Sequence, residues 1–286
     1  MNILVASDSF KGCMTSKEAN AHVKKGLKRA SDDFQVQTFP VADGGEGLVE
    51  AFADLTHSQI ITVDTVDLYF QPIQAPIGYD PVSRTACIEA ASVVGLPLYP
   101  KEKRKPLDTS SYGLGVLMKK AMELEIDRLI IGLGGTGTND GGIGLLQAFG
   151  AVLYNRSRKP LEPVTRNLGK VAFIDKSRFS FNRRVQIEAA CDVKNPLLGP
   201  NGATYIYGRQ KGLSRTEQSW IEEGMRRFEA KVSQTFHAGM NKKEGAGAAG
   251  GLGGMLQAVF KASFVPGLEV LAALGNLDDK MDWAAL

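Results

Sequence analysis

The sequence predicts an α/β protein of two domains: a Rossmann-like parallel α/β domain at the N-terminus and a second α/β domain with a mixed sheet. Three observations carry that expectation. Short apolar strands alternate with amphipathic helical stretches, several strands run into loops rich in glycine and carboxylates, and a proline-punctuated block of β segments interrupts the alternation.

The opening strand is Asn2 to Ser7, and the turn after it carries Asp8, Ser9, Lys11 and Gly12. Thr15 and Glu18 have the spacing of a capping box for a helix whose Ala19, Val23, Leu27 and Ala30 share one face. Val36 to Val41 reads as a second strand, followed by Ala42-Asp43-Gly44-Gly45-Glu46-Gly47 and a helix from about Leu48 to Asp54. Ligands of open parallel sheets bind beyond the carboxyl ends of the strands, so both loops are placed to share one crevice. From Ile60 the texture changes to short β segments, Ile60 to Val66, Ile73 to Tyr79 and Thr85 to Ala90, with Pro72, Pro76 and Pro81 between them. Residues 1–60 are therefore expected to form the N-terminal part of the Rossmann-like domain. Residues 61–286 are expected to form the second domain, which carries the glycine-rich loops.

A helix with Leu114, Leu117, Met118 and Ala121 on one face precedes the most informative segment of the chain. Residues 128–151 set the apolar strand Arg128 to Ile131 against a loop with six glycines from Gly132 to Gly142, after which Ile143, Leu145, Leu146 and Phe149 resume at helical spacing. Strand, bare backbone and helix start together offer N–H groups to a phosphate, and Thr136, Thr138, Asn139 and Asp140 add polar side chains. No G-x-x-x-x-G-K-[ST] segment occurs, so the loop is not a Walker A element. Gly132, Gly134 and Gly137 do satisfy G-x-G-x-x-G, which keeps an NAD-dependent oxidoreductase as an alternative. Against it, the following strand Ala151 to Tyr154 ends at Asn155 where a ribose-binding carboxylate is expected. A purely structural glycine turn is the plainer alternative. Downstream, Val185 to Ala190 reads as a strand ending in Cys191-Asp192-Val193-Lys194-Asn195-Pro196. Ser214 and Glu217 form a second capping box for a helix burying Ile221, Met225, Phe228 and Val232, and Gly245 to Gly254 is a run of small residues suited to close backbone approach.

The 286 residues, 43% of them hydrophobic and 23% charged, suit an ordinary globular protein. Thirty-four basic against 31 acidic residues leave +3, too mild for a nucleic-acid footprint, and Lys24-Lys25, Lys28-Arg29 and Lys101 to Lys105 read as solvated faces. Cys13, Cys87 and Cys191 fit neither a disulfide framework nor a zinc site. With no charged leader and no run of about 18 apolar residues, a cytoplasmic protein without membrane partners is expected, with homo-oligomerisation left open. His22, His57 and His237 read as surface or capping residues.

Five segments occur in order: Asp8 to Gly12, Pro40 to Gly47, Gly134 to Gly142, Cys191 to Gly199 and Gly245 to Gly251. Together they resemble the bacterial type I glycerate kinase family across the whole chain. The resemblance implies ATP-dependent phosphorylation of D-glycerate with Mg2+, at carbon 2, on a two-domain α/β fold with the active site between the domains. It also implies that family members continue beyond Leu286 into further α/β units. The N-terminal domain is then expected to be incomplete here, which admits a catalytically silent member with a ligand-binding or oligomerising role as a further alternative.

The residues themselves favour phosphoryl over hydride transfer. Phosphoryl transfer is positioning plus neutralisation of charge, which calls for backbone N–H groups, a lysine and metal-binding carboxylates. Gly134, Gly135, Thr136, Gly137, Thr138, Asn139 and Asp140 are expected to hold the nucleotide, Thr136 to Asp140 having the substrate as an alternative ligand. Lys11, Asp43 and Asp192 are the candidate catalytic residues, and Asp43, Glu46 and Asp192 the candidate Mg2+ ligands. Either Asp43 or Asp192 would accept the glycerate hydroxyl proton. An Asx turn or helix cap is the plain alternative for each carboxylate. The glycerate carboxylate calls for an arginine, for which Arg84, Arg104 and Arg209 are candidates.

Overall fold

The structure is a computed structural model that describes residues 1–10 and 13–284. In chain order its main elements are β1 (Asn2–Val5), α1 (Ser16–Ala30), β2 (Gln35–Thr38), α2 (Leu48–Thr56), β3 (Gln59–Val66), β4 (Pro72–Asp80), β5 (Thr85–Glu89) and α3 (Ala91–Val94). They continue with α4 (Tyr112–Met122), β6 (Arg128–Gly132), α5 (Ile143–Ala148), β7 (Val152–Tyr154), β8 (Phe173–Asp175), β9 (Gln186–Ala190) and α6 (Ala203–Tyr207). The last are α7 (Arg215–Phe236), α8 (Leu252–Ala258), β10 (Ser263–Val265), α9 (Gly267–Gly275) and α10 (Leu277–Trp283).

A six-stranded mixed sheet, ordered β10-β9-β6-β5-β4-β3, organises the molecule. Strands β10, β9, β6 and β5 are mutually parallel, and β4 and β3 extend them as an antiparallel hairpin. Strands β5 and β6, and β9 toward its carboxyl end, are buried on both faces, so alternate residues divide between two cores. Ala86, Ile88, Leu129, Ile131, Ile187 and Ala189 join a large cluster with α4, α5, α7 and α8. Cys87, Ile130 and Ala190 join a smaller one with Leu48, Val49, Ala51 and Phe52 of α2 and Val270 and Leu271 of α9. Strands β1 and β2 pair in parallel with each other as a separate two-stranded sheet, and β7 and β8 form an antiparallel ribbon. The mixed α/β class expected from the sequence is the one observed.

Both capping boxes form. Thr15 opens α1 with Glu18, and Ser214 opens α7 with Glu217, each side chain reciprocating with a backbone amide. His57 and His237 are left-handed residues that close α2 and α7. Two expectations need correction. Pro72 and Pro76 lie inside β4, opposite Val66 and Thr62 of β3, rather than between strands. β4 meets β5 only from Gly78 to Asp80, so neither proline's missing N–H leaves a gap on that side. The apolar stripe of α1 is buried only near its start, at Ala19, whereas Val23 is 46% exposed because the narrow β1–β2 sheet offers little surface to cover it.

Candidate active site

The carboxyl ends of the four parallel strands deliver Glu89, the Gly132–Gly142 loop, the Cys191–Gly199 segment and Pro266 to one edge of the sheet. The loop after β2 is pressed onto that edge by contacts that only glycine permits. A Cβ on Gly44 would stand 2.4 Å from the Ala190 carbonyl oxygen, one on Gly132 would stand 2.5 Å from the Gly44 oxygen, and one on Gly134 would stand 2.5 Å from Gly45 Cα. The Gly134 amide donates to the Gly44 carbonyl at 2.9 Å, locking the two loops together. From the other side, the Gly141 amide donates to the Gly250 carbonyl at 3.0 Å and the Gly247 amide to the Asn195 carbonyl at 2.9 Å. The small-residue run thus serves as a packing surface for two of the other motifs. Four of the five segments singled out in the sequence meet here. Of the first, Asp8, Ser9 and Phe10 are described, while Lys11 and Gly12 lie outside the described residues.

The glycine loop divides into an exposed tip and a buried frame. Gly134 is partly exposed and Gly135 exposed, with φ +70° and only an ordinary 3.5 Å contact with Ala91 Cβ where its own Cβ would lie; among the described residues the Gly135 amide has no hydrogen-bond partner. Thr136, Gly137, Thr138, Asn139 and Asp140 are buried. Asp140 accepts from the Ser111 amide and hydroxyl, both at 2.7 Å, and from the Gly142 and Gly144 amides at 3.1 and 3.2 Å. Burial raises its carboxyl pKa against the opposing pull of those donors. The start of α5, which the sequence offers to a phosphate, is therefore filled by the protein itself: Asp140 takes Gly142 and Gly144, and the Ser111 hydroxyl takes Leu145 at 3.0 Å. A short polar side chain two to four residues ahead of free amides competes for them directly.

The three candidate carboxylates are exposed and separate into two groups. Asp192 and Asp43 both act on the Cys191 thiol, whose pKa is raised by burial first and then by these two charges. Both therefore lie near the Cys191 thiol at the end of β9. Asp43 Oδ1 also accepts from the Gly45 amide at 2.9 Å, so the Asx turn forms as well. Glu46 instead belongs with Glu89, a residue the sequence reading passed over. Glu89 is buried, accepts from the Val49 amide at 2.7 Å at the start of α2, and has its pKa pushed up to about 7, chiefly by burial, with Glu50 and Glu46 adding to the rise. The signal was available as a carboxylate ending an otherwise apolar strand. Glu46, Glu89, Ser9 and Phe10 line a cavity of about 430 Å³ that reaches to the start of α1.

Among the described residues no three His, Cys, Asp or Glu side chains are grouped to hold a metal ion. The pair Asp43 and Asp192 fits the lesser demand of Mg2+, which takes one or two carboxylates and completes its octahedron with phosphate and water. Of the candidate arginines, Arg84 is corrected: it precedes β5 at the amino end of the strand, paired with Asp127 at 2.7 Å, opposite the edge that carries the loops. Arg104 is spent on the carbonyls of Tyr99, Leu96 and Gln210. Arg209 is exposed and has no ion pair among the described residues.

A sequence model of the glycerate kinase family matches residues 3–286. Glycerate kinase of Bacillus subtilis (strain 168) is 38% identical over 272 residues, covering 95% of this chain and 71% of the relative. The chain belongs to the glycerate kinase family. Its relatives include glycerate 2-kinase of Escherichia coli (strain K12), 36% identical over 98% of this chain and 74% of the relative. The fold agrees with a crystal structure of a Salmonella typhimurium LT2 protein named as a candidate glycerate kinase 2: TM-score 0.89 at 33% identity, over 99% of this chain and 76% of that one. Membership makes the chain a phosphotransferase by descent and ATP the phosphate donor that the family implies. Nothing in the comparisons supports the oxidoreductase or silent-member readings. No described helix is long and apolar enough to cross a membrane.

Proposed function

We propose that the chain transfers the γ-phosphoryl group of ATP, supplied as its Mg2+ complex, to the carbon-2 hydroxyl of D-glycerate at the carboxyl edge of the six-stranded sheet. The observation that carries this reading is the Gly44–Gly134 junction, which sets exposed carboxylates beside the exposed glycine tip with no room for side chains between. Such a site supplies what phosphoryl transfer needs, rigid positioning and charge neutralisation. In this reading Gly134 and Gly135 meet the phosphates, and Thr136 to Asp140 form the frame beneath them. Asp43 and Asp192 would hold Mg2+, which when bound neutralises charge on the phosphoryl oxygens. One of the two accepts the hydroxyl proton as the glycerate oxygen bonds to the γ-phosphorus and the bond to the bridging oxygen breaks, releasing ADP. Of the three candidate arginines, Arg209 is the one with neither an ion pair nor a side-chain hydrogen bond among the described residues, and the glycerate carboxylate is assigned to it. The site lies between an N-terminal unit of residues 1–60 and a second of residues 61–286, with α2 of the first seated on the sheet of the second.

The test is release of ADP from MgATP by the 286-residue chain, with and without D-glycerate, and phosphorus NMR of the product. Glycerate-dependent release with a product phosphorus split into a doublet by the single carbon-2 proton is expected. A triplet would move the reaction to carbon 3, and glycerate-independent release would remove glycerate as the acceptor.

A further inference from the structure

Among the described residues Lys211 is the most buried cation that the proposed mechanism leaves unused. It is 3% exposed, in a turn between α6 and α7 where Gly212 takes φ +106° and the Lys211 and Leu213 amides both donate to the Gly208 carbonyl. Arg104 pins the same turn through the Gln210 carbonyl at 2.9 Å. From this anchored backbone the side chain passes beneath the glycine loop, where the ammonium donates to the Thr138 carbonyl and lies 3.5 Å from the Thr136 hydroxyl. Neighbouring contacts hold the same stretch: the Asn139 side chain donates to the Thr204 hydroxyl at 3.1 Å, and the Leu96 and Gly137 amides clasp the loop through Gly135 and Val94 carbonyls at 2.7 Å each.

An ammonium is a poor choice for packing alone. Taking it out of water costs several kcal/mol, and an apolar side chain of similar volume would fill the space without that penalty. Burial indeed drives its pKa down to about 7, with Asp140 the charged group opposing the fall. The loop above it is unsaturated too, since Thr138 Oγ1 and Asn139 Oδ1 are buried without partners among the described residues. What the ammonium offers that a methyl group would not is positive charge directly under a loop whose exposed tip carries, at Gly135, an amide with no partner among the described residues. We propose that Lys211 is a positioning residue for the phosphate-bearing substrate: it braces Thr136 to Thr138 from below and adds charge to the field of the Gly134–Gly135 tip. The inference rests on the kinase reading above and assigns a residue that the motif pattern did not mark.

The test compares the full chain with Lys211→Met and Lys211→Gln by steady-state kinetics, thermal melting and calorimetric titration with MgADP. Methionine removes charge and hydrogen bonds; glutamine keeps a donor without charge. Both variants are expected to raise KM for MgATP and Kd for MgADP at least tenfold, with KM for D-glycerate within about threefold, and Lys211→Met is expected to melt no lower than wild type. A structural lysine would give the reverse, a lower melting temperature with unchanged constants, and would overturn the proposal. If Lys211→Met fails to fold, Lys211→Gln decides: wild-type constants in that variant would remove the role of charge. If the wild-type chain turns over no glycerate, the kinase reading fails on its own, while MgADP affinity still reports on Lys211. Absence of MgADP binding by the wild type would overturn both.

Discussion

The two loops that meet over β6 and β9 are built on opposite plans. In the glycine loop the side chains are buried, with Asp140 bonded to Ser111, Gly142 and Gly144, and the backbone tip at Gly135 is what solvent reaches. In the loop after β2 the backbone is jammed against Ala190 and Gly134, and the side chains of Asp43 and Glu46 are what solvent reaches. One loop offers amides on a side-chain scaffold; the other offers carboxylates on a backbone scaffold. A reaction that must hold an anion and place a metal beside it needs both, each fixed by packing that does not take part in the chemistry.

The contrast breaks first at Asp140. Asp140→Ala would leave four buried donors without an acceptor, and a loss of about 3 kcal/mol or more is expected, read as a fall in Tm on the order of 10 °C. A shift below about 2 °C would mean the frame does not depend on this carboxylate. Next in size is Gly44→Ala, which drives a Cβ to within 2.4 Å of a strand carbonyl at φ +85° and should cost about 2 to 3 kcal/mol. Gly135→Ala, with the same sign of φ but only an ordinary 3.5 Å contact with Ala91 Cβ, should cost only about 1 kcal/mol, so equal losses at the two positions would undo the distinction between jammed and free backbone.

A smaller effect sharpens the comparison through pH. Glu89 carries a folded pKa raised to about 7 from 4.5, so the folded state keeps a proton that the unfolded chain releases; its contribution is present below about 4.5 and lost as pH rises through 7. Lys211 has a folded pKa lowered to about 7 from 10.5, so its contribution is present above about 10.5 and lost as pH falls through 7. Thermal melts between pH 5 and 9 should show Glu89→Gln flattening the acid side and Lys211→Met the alkaline side. Unaltered profiles would show that neither group titrates in these windows. Smallest of all, Arg84→Ala removes an exposed pair at the far end of β5 and should change stability by less than about 1 kcal/mol with no change in turnover.

Five of the six strands of the sheet were legible because their signal is local, apolar strands and two reciprocal capping boxes being readable within a few residues of sequence; the short edge strand β10 was not legible. What the sequence could not give was which face of each polar segment would be covered. Thr138, Asn139 and Asp140 look like ligand-binding side chains on a glycine loop, and become a frame only because Ser111, Thr204 and Lys211 arrive from more than 25 positions away. Lys211 gave no sign, since a lysine beside a turn glycine is ordinarily solvated, and its burial is a property of α6, α7 and the loop together. Val23 erred the other way: its helical spacing was sound, but spacing does not say whether a neighbour exists to bury the stripe.

The most direct test of the division between working side chains and buried frame is turnover and melting temperature measured together for Asp43→Asn and Asp192→Asn. Loss of turnover by about 10²-fold or more in at least one variant, with Tm within about 2 °C of wild type in both, is the predicted result. Turnover within threefold of wild type in both would contradict the account, whatever their stability.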